Sequence, residues 1–491
     1  MRDSIHFLLD GRTVCLDFKP GSKWRPTTTV LQYLRSLPEH RGVKEGCAEG
    51  DCGACTVVLA EERPDGRLSY RAVDSCLMFL PCLDRKQLIT IENLKNRDNT
   101  LHPVQSAMIR EYGSQCGFCT PGVVMSLFAL FKNRRPASRP DVIDALSGNL
   151  CRCTGYRPIV DAALSACARP DNDRFSTEEE AVLRQLRALA DDDVLIESGN
   201  QQYLRPASLT SALTFRSTYP DALVTNGSTD IALRVTKKHE TLPSILDLSG
   251  VAELQFCHRS TTGLEVGAGT TLQDVLTESA QQFSALEKML RVFGSRQIRN
   301  IATIGGNVGT ASPIGDTLPV LMALKSEVVL RNVQASRTMP VERFIKGYRQ
   351  TDCRADELIT SVRIPGIPEG THVRSYKISR RHEMDISTVS AGFSVHLNGE
   401  GRVDDLVLAY GGMAATPARA RKTEAFLHGK PWTRGVVEEG MKVIETEFHP
   451  LTDVRGSAEF RMMIARNVLL KFWDETTKAP VTAGDGLGVG A

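Results

Sequence analysis

The chain is predicted to be a multidomain α+β protein, and three observations carry that reading. At 491 residues it is too long for one core, since domains run to roughly 100–200 residues each. Eight of its 13 cysteines crowd in short groups before residue 154. Stretches with strand-like and helix-like hydrophobic spacing succeed one another along its length.

Taken in order, Ile5, Phe7 and Leu9 alternate with polar residues, "DG" at 10–11 supplies a tight turn, and Val14, Leu16 and Phe18 alternate again, predicting a hairpin. "TTTVLQYLRSL" predicts a capped helix. A cysteine loop, the strand "CTVVLA", a "PDG" turn and a further strand complete a unit over 1–90. Residues 91–168 show helical patterns: one stretch ending at Gly113, one beginning at Thr120 and Pro121, "RPDVIDALSGN", and "TGYRPIVDAALSA". "CGFCTPG" and "CRCTGY" each place a cysteine pair before a Thr-capped helix, so two helical hairpins would bring the pairs together. Residues 169–198 are rich in charge and predict an exposed linker with a short helix. Strand-like pieces return over 199–370 ("DALVTN", "SILDLS", "GLEVGAG", "EVVLRN", "ELITSVRI") with interspersed helices. Residues 371–480 predict hairpin strands followed by helices, and 481–491 a Gly-rich disordered tail.

Composition narrows the function. The residues are 41% hydrophobic and 24% charged with a net charge of +2, ordinary for a globular protein. No basic stripe interleaved with aromatics points to nucleic acid. No signal-peptide pattern and no apolar run of the roughly 18–20 residues that span a bilayer is present, so the expectation is a cytoplasmic protein without membrane contact. In that compartment 13 cysteines, an odd number, argue against a disulfide framework. Cys15, Cys82, Cys167, Cys257 and Cys353 are expected to be small, partly buried residues.

The other eight carry the chemistry. Cys47, Cys52 and Cys55, followed by Cys76, have the plant-type [2Fe–2S] spacing. Each tetrahedral iron takes two thiolates, and Gly46, Gly50 and Gly53 would let backbone amides close on bridging sulfide. Zinc sites more often pair two C-x2–4-C knuckles, whereas here three cysteines crowd one loop. The second set, Cys116, Cys119, Cys151 and Cys153, is a CxxC with a CxC and by spacing alone suits zinc or iron equally. Helix N-termini behind the pairs would favour thiolate in either case. A colourless structural zinc scaffold is the reading from another class.

"EGCAEGDCGACTV", Cys76, "QCGFCTPG" and "CRCTGYRPI" resemble the iron–sulfur domains of the molybdenum hydroxylase family in spacing, order and flanking residues. The resemblance implies a β-grasp ferredoxin-like domain, then a four-helix domain with the second cluster, and all eight ligand positions are occupied.

Beyond residue 198 no GxGxxG joins a strand to a helix, and "VGAGTTL" at 266–272 offers two glycines, which disfavours a Rossmann fold. The loops "VTNGSTDI" at 224–231 and "NIATIGGNVGTASPIGD" at 300–316 are weak phosphate-cradle patterns alone. In their order behind the cysteines they are similar to the flavin domain of that family, with its vanillyl-alcohol-oxidase-like fold. The match implies FAD contacts at Val224, Thr225, Asn226, Gly227, Ser228, Thr229, Asp230, Ile231, Phe293, Thr303, Ile304, Gly305, Gly306, Asn307, Asp316 and Lys377. "YKISRRHEMDIS" at 376–387 resembles the segment beside the flavin and the nicotinamide entry, with Met384 and Asp385 where the vertebrate enzymes of the family carry two adjacent acids. The resemblance runs to about residue 475 and includes no molybdenum-cofactor region. It therefore implies a partner subunit bearing the molybdenum cofactor and oxidising a purine, in an (αβ)2 heterotetramer, with NAD+ as electron acceptor. Aldehydes or N-heterocycles as substrates, and a stand-alone NADH:acceptor reductase, are the rival enzyme readings.

Overall fold

In the N-terminal hairpin, Ser4–Leu9 pairs antiparallel with Arg12–Asp17. Asp10 and Gly11 at its turn both have positive φ, 51° and 79°, as a two-residue turn matched to strand twist requires. The computed structural model describes residues 1–19, 21–63, 65–133, 136–168 and 173–478. Five strands make the first sheet, in the order Arg12–Asp17, Ser4–Leu9, Gln87–Ile89, Thr56–Glu62, Leu68–Asp74. Ser4–Leu9 and Gln87–Ile89 run parallel and the other pairs antiparallel. Helix Val30–Ser36 lies across it, started by a capping box between Thr29 and Gln32, with Val30, Leu31 and Leu34 in the core beside Phe7 and Val57. This is the ferredoxin-like α+β unit.

Four principal helices follow: Pro103–Arg110, Thr120–Asn133, Arg139–Leu146 and Arg157–Cys167. Val124, Leu127, Phe128 and Phe131 of the second are buried. Gly113 is not the left-handed terminator of the first helix. Tyr112 takes that conformation (φ 56°), and a Cβ at Gly113 would lie 2.7 Å from Met108 Sδ, so the glycine serves close approach.

Residues 173–198 differ from the exposed linker expected there. Phe175, Val182, Leu183 and Leu186 enter the core formed with the helical domain and Tyr70. Asp173 is buried beneath them with His102 and Lys132. The charge of the whole window masks a narrow apolar stripe on helix Glu179–Arg187. Val194–Ser198 then pairs with Gln201–Arg205, so the expected boundary at 199 falls inside a hairpin whose turn is Gly199 (φ 61°).

Among the described residues the flavin region is built on two larger sheets, with a two-stranded ribbon of Ile345–Gly347 and Gln350–Thr351 beside them. One orders Val194–Ser198, Gln201–Arg205, Ser244–Asp247 and Leu223–Thr225; the other orders Cys257–Ser260, Gly263–Gly267, Leu358–Pro365, Glu327–Arg331 and Ser336–Pro340. The second sheet is antiparallel throughout, which removes a Rossmann arrangement. Strands Thr371–Ile378, Val389–Leu397, Val403–Gly411 and Ala418–Arg419 form the C-terminal sheet, covered by helices Arg434–Ile444 and Ala458–Thr477 through Val437, Ile444, Val468 and Phe472. The expected tail at 481–491 lies outside the described residues. Among the described residues no helix is long and apolar enough to cross a membrane.

Candidate iron–sulfur and flavin sites

The loop before strand Thr56–Glu62 turns through three left-handed residues, Ala48 (φ 56°), Gly50 (76°) and Gly53 (65°). Of the three glycines expected to shape it, Gly46 has no positive φ; a Cβ there would meet Cys52 Sγ at 2.7 Å. Ala48, which sequence reasoning missed, takes the third left-handed position. The turns aim amides inward: Glu49 N and Asp51 N donate to Cys47 Sγ at 3.4 and 3.3 Å. The four thiols meet in pairs, Cys47 with Cys52 and Cys55 with Cys76. Cys52 donates to Cys47 and, with the loop amides, lowers the Cys47 thiol to about 5. Cys55 donates to Cys76, and burial pushes its own thiol up further. Asp74, fully buried beside Cys55, has its carboxyl pushed up to about 8 by desolvation.

The second set also meets in pairs, Cys116 with Cys153 and Cys119 with Cys151. The helix behind the CxC is not capped by Thr154. It begins at Arg157 behind Tyr156, which is left-handed (φ 68°). Thr154 Oγ1 instead lies 3.2 Å from Cys151 Sγ, and the Tyr156 hydroxyl accepts from Cys151 N at 2.8 Å. Hydrogen bonds from Thr154 and the Cys153 amide lower the Cys151 thiol despite its desolvation. Both sets thus present four thiols two by two with inward amide or hydroxyl donors. That donor set suits a two-iron cluster, in which each iron takes two thiolates.

The sets approach each other directly. Leu150 N, next to Cys151, donates to Cys52 O at 3.0 Å. A Cβ at Gly53 would overlap Gly148 O, and one at Gly122 would overlap Gly53 O. These glycines let the two loops touch.

The structure also brings the expected flavin loops together. A Cβ at Gly227 would overlap Ile301 O, and Gly227 and Ser228 have positive φ, 79° and 60°. Gly306 faces Asn226 O, and Gly269 of "VGAGTTL" approaches Asn226 Nδ2. The loops differ in what they offer. Ile304 N, Gly305 N and Gly306 N are committed to Thr270 O, Ala268 O and Thr303 Oγ1, and the Ile304 side chain is in the core. Among the described residues the amides of 227–231 have no backbone acceptor. The first loop therefore has the open donors that a pyrophosphate needs, and the second packs beside it.

Asp316 and Lys377, 6% and 5% exposed at their side chains, pair at 2.9 Å. Ser387 Oγ donates to Asp316 Oδ1 at 2.5 Å and Lys377 Nζ to Val292 O at 2.9 Å, next to Phe293. Thr317 donates to Asn307, linking this cluster to the second loop. Asp385 caps its own loop, accepting from Arg381 N and Ile386 N at 3.0 Å each. Asp316 is therefore the buried carboxylate of this region. Ser387 was missed because its signal, a serine ten residues past Lys377, has no motif.

Two iron–sulfur domains joined to a flavin fold define an electron-transfer flavoprotein, and the comparisons agree. Residues 22–83 match the 2Fe-2S iron-sulfur cluster binding domain, 90–164 the [2Fe-2S] binding domain, 198–367 the FAD binding domain in molybdopterin dehydrogenase, and 374–476 the CO dehydrogenase flavoprotein C-terminal domain. Xanthine dehydrogenase of Emericella nidulans is 34% identical over 96% of this chain and 38% of its own length. Xanthine dehydrogenase/oxidase of Gallus gallus is 31% identical over 96% and 40%. The chain thus spans about two fifths of the length of these curated relatives. Carbon monoxide dehydrogenase from Hydrogenophaga pseudoflava shares the fold with a TM-score of 0.53 at 23% identity, over 56% of this chain and 96% of that one. Quinoline 2-oxidoreductase from Pseudomonas putida 86 does so with 0.51 at 24%, over 56% and 95%. The chain belongs to the molybdenum hydroxylase family, of which it carries the two [2Fe–2S] domains and the FAD-binding domains.

Proposed function

We propose that this chain is the iron–sulfur/FAD subunit of a xanthine dehydrogenase, passing electrons from a molybdenum centre on a partner subunit to NAD+. The observation that carries the reading is the direct contact of the two thiol sets through Leu150 N and Cys52 O, with the flavin cradle adjoining through Ile231 and Ile301, which pack against the core that holds Cys55 and Cys76. Cys47, Cys52, Cys55 and Cys76 would hold one [2Fe–2S] cluster, and Cys116, Cys119, Cys151 and Cys153 the other. Residues 227–231 would offer FAD their open amides, with 303–307 packed beside them and Phe293, Asp316 and Lys377 alongside. When bound, the clusters supply one-electron carriage and FAD a two-electron store suited to NAD+.

The chain's own residues position these groups. The inward amides of Glu49 and Asp51 soften the charge on Cys47. The buried Asp316–Lys377 pair, held by Ser387 and Val292 O, presents a fixed dipole at the cradle. In the chain segments that carry the exposed Cys116 and Cys153, Ile109, Tyr112, Phe118, Leu150 and Tyr156 are large side chains open to solvent. Such a patch supports docking of the molybdenum subunit there. An (αβ)2 assembly and a cytoplasmic place belong to the same proposal. The test is co-purification from the native source with metal and flavin analysis, then xanthine-dependent NAD+ reduction. A molybdenum-bearing partner and NADH formation support it. A chain active alone with NADH and a ferredoxin-like acceptor, or a colourless zinc protein, overturns it.

A further inference from the structure

A short segment of the flavin region enters between the other two domains. Ser295 caps the single-turn helix Arg296–Arg299, and Gln297 on it is fully buried. Gln297 Nε2 donates to Ser126 Oγ at 2.8 Å, Asn149 Oδ1 at 2.9 Å and Ala145 O at 3.0 Å, all in the helical domain. Asn149, 2% exposed, donates through Nδ2 to Gly53 O and Thr56 Oγ1, both at 3.1 Å. Its Oδ1 also accepts from Ser126 Oγ at 2.6 Å. Gly53 lies between Cys52 and Cys55, and Asn149 lies two residues before Cys151. Two side-chain amides therefore join the loops of both thiol sets to the flavin region.

Next to them, the Leu150 N–H donates to Cys52 O. Covalent bonds from Cys151 to Leu150, this hydrogen bond, and the backbone of Cys52 make a continuous connection between one thiol of each set. Simple filling of the space would need apolar side chains. Burying two amides is favourable only when their donors are met, which restricts the loops to one spacing. Neither amide titrates in the ordinary pH range, so that spacing does not shift with pH.

We propose that Asn149 and Gln297 are positioning residues for electron transfer between the two sets, holding the Leu150 amide on Cys52 O. The inference rests on the proposed function insofar as the sets carry clusters. Each transfer moves one electron, oxidising the donor cluster and reducing the acceptor, and the two amides neither gain nor lose a proton.

The test uses the holoprotein with Gln297→Met and Asn149→Ala. Gln297 lies outside both cysteine domains, so its variant leaves every thiol in place. Expected in both variants are a wild-type iron and flavin content and a weakened magnetic interaction between the two reduced clusters by EPR. Hydrogen exchange at the Leu150 amide should quicken about tenfold, from the loss of a buried hydrogen bond. After photoreduction of the flavin, the Cys47/Cys76 cluster should fill at the wild-type rate and the Cys116/Cys153 cluster about 10–100-fold more slowly. A Gln297→Met protein with unchanged magnetic interaction, exchange and filling rates overturns the proposal, leaving Gln297 as packing. A wild-type protein without either cluster would defeat the proposed function instead, and Leu150 exchange in Gln297→Met would still report on the clamp.

Discussion

The two thiol sets are alike in their pairing, and each has two half-buried thiols, but their remaining two thiols stand in opposite surroundings. Cys55 and Cys76 are 2% and 1% exposed, enclosed by the sheet of the ferredoxin-like domain and by helix Val30–Ser36. Cys116 and Cys153 are open to solvent, as are Phe118, Tyr112 and Tyr156 in the same chain segments. The first set lies between the helical domain and the flavin region, and the second has one side on the other domains and one side free. A carrier in the middle of a relay needs protection from water and stray acceptors, whereas a terminal one must be approached by a partner. That contrast fits the order proposed above, with the second set toward the partner and the first toward the flavin.

The sharpest way to break this comparison is to remove one thiol from each set. Cys76→Ser should abolish the first cluster's EPR signal and cut electron throughput by more than about 100-fold, with a lowered Tm because the site is in the core. Cys153→Ser should erase the second signal and leave the Tm of the ferredoxin-like domain in place. Equal Tm losses would contradict the contrast. Next in size, a chelator at neutral pH should strip iron from the exposed set at least about tenfold faster than from the buried one, since access there needs no local opening. Iron content followed against the two EPR signals checks the order.

Glycine substitutions sharpen the comparison further. Gly53 and Gly155 both have positive φ, 65° and 67°, but a Cβ at Gly53 overlaps Gly148 O while one at Gly155 meets nothing within 4 Å. Gly155→Ala should lower stability by about 1 kcal/mol, the left-handed penalty alone. Gly53→Ala should lose about 3 kcal/mol or more, because the loop contact must also move. Thermal unfolding of the holoproteins measures both.

The smallest effect is on acidification. Burial lowers the pKa of His102, and the Lys132 ammonium and His102 lower that of Asp173, against its desolvation. The unfolded chain binds a proton at His102 below its ordinary pKa of about 6.5 while the folded domain resists it, so stability is present above that pH and falls below it. The slope is at most about 1.4 kcal/mol per pH unit for one such group. Between pH 6.5 and 5 the helical domain should loosen, and the second EPR signal should fade before the first.

Much of this was legible in the residues. The N-terminal hairpin, the capped helix at Val30–Ser36 and the four helices after residue 100 follow from local spacing, caps and turn residues, which act over a few positions. The cysteine groups are legible for the same reason, as ligand spacing is local for three of four thiols in one loop. Where expectation failed, a distant partner decided. Thr154 caps a thiol rather than a helix because Cys151 and Tyr156 fold over it. The charged stretch 173–198 is packed because Tyr70 and Phe128 offer its apolar stripe a place to bury. The amides of Gly305 and Gly306 are spent on Ala268 and Thr303, which no loop pattern reveals.

By itself the sequence determined that eight cysteines stand in two sets of four, that two glycine-rich loops follow them, and that the chain alternates α and β units. Those properties depend on residue type and near-neighbour spacing. Tertiary structure decided which set is buried, which loop keeps its amides open, and that Asn149 and Gln297 stand between the sets. Each of those depends on groups brought together from far apart in the chain, and hydrogen bonds across such separations leave no period in the sequence to read.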